Sequence, residues 1–196
     1  MRKGEATRGR ILTEAGRLAA VNGLFNTSLG DVADCCGLSK SGLFKHFDCK
    51  EAMQEAVLMD ACDRFVAFVW VPVQHLPSGR ARLEAIFERQ LDWETVENAA
   101  GGCLIMSSAV ELDDRPGPLR DKLHDRLQQW RRVLTREMMA LSDPPLDYQV
   151  AKMAAFEMNS FLLGHASAGR FMGDGDAREA ARAAFRRLLD RTERAD

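Results

Sequence analysis

The stretch CGLSKSGLFKHF, residues 36–47, decides how this chain is built. It holds four large apolar side chains (Leu38, Leu43, Phe44, Phe47), two lysines, two glycines, two serines and a histidine. Ser39 is placed to cap a helix start, with Leu38 and Leu43 at the two positions where an apolar pair fixes the angle of chain entry. Gly37 supplies a tight turn just before it. On a helical wheel anchored at Leu43, Phe47 turns inward while Ser41 and Lys45 point the opposite way, flanked by Gly42 and Phe44. Upstream, Leu29, Val32, Ala33 and Cys36 form a short apolar stripe opened by a capping box of Ser28 and Asp31, and downstream Asp48 with Glu51 suggests a third box. Three capped helix starts so close together specify rigid geometry, the build of a helix-turn-helix.

The outward face of the third helix is small, polar and cationic. In a DNA major groove Lys45 can reach a guanine edge or a phosphate, Ser41 can bond to either, and Gly42 removes the side chain that would hold the backbone away from the duplex. The Ser28 hydroxyl and Lys50, each beside a helix start, are suited to phosphate, and Arg2, Lys3, Arg8 and Arg10 read as an arm along the DNA backbone or into the minor groove. The competing reading is a solvated face of an ordinary helix, since exposed lysine is commonplace.

The segment TSLGDVADCCGLSKSGLFKHFDCKEAM, residues 27–53, resembles the DNA-binding domain of TetR-family transcriptional regulators: a Thr/Ser-capped second helix, Gly-(Val/Leu)-Ser, an aromatic-x-His-Phe segment and a Lys-Glu pair. The resemblance covers roughly residues 5–60. It implies an all-helical homodimer whose small N-terminal domain binds an operator and whose larger domain binds a small molecule and dimerises. Carried over position by position, Ser28, Ser39, Lys40, Ser41, Gly42, Phe44, Lys45, His46 and Lys50 fall where the family contacts DNA. Two positions depart from the pattern. Phe44 stands where tyrosine is common, so a hydroxyl-to-phosphate bond is replaced by apolar contact, and Cys49 stands where serine is favoured, which leaves Asp48 as the expected cap.

The rest of the chain fits this frame. Of 196 residues, 46% are hydrophobic, enough for a substantial core, and the formal net charge is −2. That sum hides an asymmetry: residues 1–50 hold eight Lys/Arg against five Asp/Glu, a basic head on an acidic body. Helical periodicity runs throughout, broken at Pro72, Pro77, Gly101–Gly102, Pro116–Gly117–Pro118, Pro144–Pro145 and Gly173–Gly175, giving about nine helices and no sheet. The expected division is a helix-turn-helix domain over 1–50 and a helical bundle for ligand binding and dimerisation over 51–196. Five cysteines without CxxC or metal spacing read as reduced thiols, with Cys35, Cys36 and Cys62 in apolar stripes, and no apolar run is long enough for a bilayer. The expectation is a soluble cytoplasmic protein with no metal, cofactor or membrane partner.

In the larger part, Phe87, Gln90, Glu94, Cys103, Ser107, Trp130, Phe156 and Asn159 are the candidate ligand-facing residues, with Ser108 and His165 as further polar candidates; each also fits an ordinary core or surface role. Cys103 opens a helix after two glycines, where thiolate is favoured, so it reads either as an oxidant or electrophile sensor or as a packed small residue. Small residues in the last two helices place a dimer seam at Leu162, Ala166, Gly169, Ala181, Ala184, Phe185 and Leu188, with intramolecular packing as the alternative. The functional expectation is a repressor released from a palindromic operator by a small molecule. A helical enzyme or carrier is the rival, but no catalytic series stands out; a constitutive DNA-binding protein is another.

Overall fold

The computed structural model describes residues 3–97 and 101–194. Among these residues there are nine α-helices and no strand: α1 (Lys3–Asn22), α2 (Leu29–Cys36), α3 (Lys40–Phe44), α4 (Lys50–Phe65), α5 (Arg80–Asp92), α6 (Leu104–Glu111), α7 (Pro118–Met139), α8 (Tyr148–Ala166) and α9 (Ala177–Thr192). Single π-helical turns extend α4 (Val66–Trp70), α5 (Trp93–Glu97) and α8 (Ser167–Phe171). Most breaks fall where glycine and proline place them.

Packing divides the chain into two compact units, residues 1–65 with 98–126 and residues 66–97 with 127–196. The first therefore takes in α4, α6 and the start of α7 as well as α1, α2 and α3, which sequence assigns to the DNA-binding domain. Ile11, Ala15, Val32, Leu43, Val57 and Leu58 are each at most 2% exposed and form its centre; burying each Ile, Val or Leu side chain among them contributes roughly 1.5–3 kcal/mol. Two contacts fasten α6 to the end of α1. The Glu111 carboxylate accepts from the amides of Leu24 and Phe25 at 3.0 and 3.1 Å. Gly101, at φ +78°, lies so close to Ala20 that a Cβ there would stand 2.3 Å from its carbonyl carbon. A side chain is excluded at that position by both backbone conformation and space.

In the second unit α5 and α9 run antiparallel: Arg80 at the start of α5 binds Asp190 and Glu193 near the end of α9, and Arg178 at the start of α9 binds Asp92 at the end of α5. Phe87 stacks on Phe185 with centroids 4.1 Å apart. Leu162, Ala181, Phe185 and Leu188, expected at a dimer seam, are buried within this single chain, and Ala166, Gly169 and Ala184 are half-buried. Small residues let α8 and α9 close on each other, so Leu162, Ala181, Phe185 and Leu188 serve intramolecular packing, the alternative reading. Among the exposed apolar side chains of this unit are Met153, Phe156 and Leu163 on α8 and Phe171 and Met172 just beyond it.

Candidate DNA-binding face

The turn between α2 and α3 is fixed by hydrogen bonds at both ends. Ser28 Oγ accepts from the Asp31 amide at 3.1 Å while the Asp31 carboxylate accepts from the Ser28 amide at 3.0 Å, closing the expected capping box. The Ser28 bonds hold the Asp31 carboxyl below its ordinary range, aided by Lys50 and Lys40. At the other end Gly37 adopts φ 65°, ψ 33°, and the Gly37 and Leu38 amides return to Asp34 and Ala33 at 3.1 and 2.9 Å. This pairing satisfies the last carbonyls of α2 and turns the chain abruptly into α3. Ser39 then caps α3, its Oγ accepting from the Gly42 amide at 3.1 Å and lying 3.0 Å from Ser41 Oγ.

On this frame Leu43 and Phe47 are buried and Lys40, Ser41, Phe44 and Lys45 are exposed, as the wheel requires. Gly42 and His46 are half-buried. α3 is only five residues long, so Lys45 projects from the turn that follows it. The aliphatic stem of Lys40 lies over Gly30, where an added Cβ would meet its Cε at 3.4 Å.

Several expectations are corrected here. Arg8 and Arg10 lie on α1, so they form no extended arm: Arg8 donates to the His46 carbonyl at 2.9 Å and stacks over Phe47 at 4.5 Å, and Arg10 donates to the Cys36 carbonyl at 3.4 Å. Both brace the two-helix frame from behind. Arg2 and the side chain of Lys3 lie outside the described residues. Lys50 turns its ammonium onto the Phe25 carbonyl at 2.6 Å, holding the α1–α2 connection, which Gln54 also grips through the Leu24 carbonyl at 3.1 Å. Cys35 is exposed and Cys36 half-buried, because Val32 and Ala33 centre the buried stripe: Cys35 falls outside it and Cys36 is at the helix end. Cys62 is buried as expected, and desolvation pushes its thiol up to about 11.

The candidate ligand-facing residues divide between the units. Cys103 and Ser107 belong to the first, where Cys103 is the N-cap of α6, half-buried and without a side-chain cap bond. The other six belong to the second. Gln90 is buried, Glu94 half-buried, and Trp130 packs edge-on to Trp70 at 6.4 Å. Phe156 and Asn159 are exposed on α8, which removes them from the interior of this chain. None of the contacts of Glu111, Gln54 or Arg115, whose guanidinium lies 4.4 Å from the Phe25 ring, was legible beforehand, since no local spacing signals a partner so distant in sequence.

Two family patterns match the chain. Residues 11–57 match the pattern described as bacterial regulatory proteins, tetR family, and residues 79–185 that described as tetracyclin repressor-like, C-terminal domain, which alone spans more than half of the sequence. The chain belongs to the TetR family. It is thus a TetR-family transcriptional regulator, and the frame described above is its helix-turn-helix.

Among solved structures, the fold is similar to a TetR regulator from Chloroflexus aurantiacus J-10-FL, at 23% identity, covering 97% of this chain and 96% of that one with a TM-score of 0.81. It is similar to SCO4454 from Streptomyces coelicolor at 17% identity, 95% and 90% coverage and 0.81, and to AibR, solved with isovaleryl coenzyme A and operator DNA, at 22% identity, 93% and 98% coverage and 0.72. No curated protein sequence matches significantly.

This TetR-family chain departs from its pattern at Cys49 in an instructive way. Asp48 does not replace the missing serine. Cys49 is itself the residue before α4, and its Sγ accepts from the Ala52 amide at 3.4 Å. Sulfur is a weak acceptor beside a hydroxyl. Cys49→Ser is therefore expected to stabilise the protein by about 0.5–1 kcal/mol, read as a higher melting temperature by circular dichroism; an unchanged or lower value contradicts the cap assignment.

Proposed function

We propose that this regulator is a repressor that binds a palindromic operator as a homodimer and is released by a small-molecule effector. The observation that carries the reading is the exposed group Lys40, Ser41, Phe44 and Lys45 on a frame whose turns are fixed by Ser28, Gly37 and Ser39. Lys45 and Ser41 read base edges, Phe44 offers apolar contact to a thymine methyl, and Ser28, Ser39, Lys40 and His46 serve the backbone. Lys50 acts chiefly by positioning the α1–α2 connection.

One head reads only a few base pairs, whereas two held about 34 Å apart by a twofold axis read successive major grooves. The open apolar side chains Met153, Phe156 and Leu163 of α8 supply the surface for that pairing. AibR provides a precedent in the same fold for a chain holding both operator and effector. An effector that shifts the dimer between two head spacings by ~1–3 kcal/mol changes operator occupancy roughly 5- to 150-fold. No helix among the described residues is long and apolar enough to cross a membrane, in keeping with work in the cytoplasm.

The test is selection of bound fragments from genomic DNA, followed by fluorescence anisotropy against salt. An inverted repeat, with affinity falling about 10³-fold between 50 and 200 mM salt, supports the reading. Binding that is absent, or indifferent to salt and sequence, removes it.

A further inference from the structure

Leu24 and Phe25, between α1 and α2, are held by side chains rather than by helix bonds. Gly23, at φ 91°, closes the end of α1 by donating its amide to the Ala19 carbonyl at 2.9 Å. The next two amides then converge on one anion, the half-buried carboxylate of Glu111 at the end of α6: Oε1 accepts from Leu24 at 3.0 Å and Oε2 from Phe25 at 3.1 Å. Successive amides aimed at a carboxylate make a strong and directional grip. Gly23 leaves room for it, since a Cβ there would stand 3.1 Å from Glu111 Oε1. The carbonyls of the same two residues are taken by α4, Leu24 by Gln54 at 3.1 Å and Phe25 by Lys50 at 2.6 Å. Every backbone polar group of Leu24 and Phe25 is thus bound to a side chain of α4 or α6.

This joint sits directly ahead of the DNA-binding frame. Three residues after Phe25, Ser28 caps α2, and the Gly37 turn carries α2 into α3. Local bonds tie Thr27 to the Gly23 carbonyl and Asn26 to that of Asn22, but where Leu24 and Phe25 sit depends on α4 and α6. α4 follows the helix-turn-helix in the chain. Glu111 does not: it lies 86 and 87 positions from its two partners. Charge alone gives Glu111 the opposite role, because a carboxylate in the DNA-binding unit repels phosphate and its removal tightens binding.

We propose that Glu111 is a positioning residue for operator binding: by accepting from the Leu24 and Phe25 amides it fixes the start of α2, so that the DNA-binding domain of this chain is complete only with α6. This rests on the operator-binding reading above and deepens it.

The test is Glu111→Gln in the full-length protein. The substitution keeps the shape but offers a single acceptor oxygen, and its amide group faces the second backbone N–H as another donor. Affinity for a selected operator at fixed salt is expected to fall about 10- to 100-fold, because only heads with the joint closed bind, while binding to a scrambled duplex holds or tightens. Deuterium exchange read by mass spectrometry should speed up about tenfold or more in the peptide holding Leu24 and Phe25. Leu123→Ala is the control for destabilisation, since it empties a site 2% exposed in the same unit; it should melt lower yet keep operator affinity within about twofold. A third measurement needs no variant: operator bound to the parent should slow exchange in the same peptide, by reciprocity. Unchanged or tighter operator binding by Glu111→Gln, an equal loss in Leu123→Ala, unchanged exchange in Glu111→Gln, or no slowing by operator in the parent overturns the assignment and leaves the regulator reading. A parent protein that binds no operator overturns both.

Discussion

Lys45→Ala is expected to lower operator affinity by about 30-fold to 10⁴-fold while weakening binding to scrambled DNA far less. A good contact to a base edge contributes ~1–3 kcal/mol of discrimination, and a twofold dimer makes each contact twice, so one substitution removes ~2–6 kcal/mol from the complex. The fold should not suffer, because Lys45 is exposed and projects from the turn after α3, clear of the buried Leu43 and Phe47. Competition anisotropy at fixed salt on the operator and on a scrambled duplex of equal length checks it. Equal losses on both would mean that Lys45 meets only phosphate, and no loss would take the exposed face out of DNA recognition.

The largest expected effect on stability lies in the second unit. Glu137, with a side chain 4% exposed, pairs with Arg82 at 2.7 Å, and also accepts from Ser78 Oγ at 2.7 Å and the Gly79 amide at 3.2 Å. Arg82 in turn donates to the Leu76 carbonyl. The cluster fixes the chain between α4 and α5, where Gly79 must approach the Ala140 carbonyl too closely for any Cβ. Glu137→Ala removes one carboxylate and leaves a mostly buried guanidinium, a hydroxyl and an amide unmatched. Breaking a buried pair in this way costs about 3–5 kcal/mol, a fall of roughly 6 to 20 °C in melting temperature for a protein of this size. A scanning-calorimetry shift of under a degree would show that water replaces the carboxylate at no cost.

Where structure followed sequence, the determinants were local. Ser28 with Asp31, Gly37, and Ser39 with Leu38 and Leu43 lie within five residues of one another in each motif, so capping and turn chemistry alone placed α2 and α3. The long helices were similarly marked by period and by proline and glycine stops. Where structure departed from sequence, a distant partner had intervened. Lys50 looked available for phosphate until Phe25 claimed it, Arg8 looked like a free arm until Phe47 and the His46 carbonyl did, and Glu111 carried no signal because its partners lie 86 and 87 positions away. The α8–α9 stripe illustrates a different limit: small residues announce close helix approach, and nothing in their spacing says whether the approaching helix belongs to the same chain. Phe156 was misjudged for the converse reason, since a large aromatic suits an interior and an open face equally.

Hydroxyl-radical cleavage of a selected operator fragment with the full-length protein bound tests twofold recognition most directly. Two protected patches related by a dyad, their centres about one helical turn or a small multiple of it apart on one face of the duplex, are expected, and both should fade together in Lys45→Ala. A single asymmetric patch, or protection spread evenly along the fragment, would contradict it.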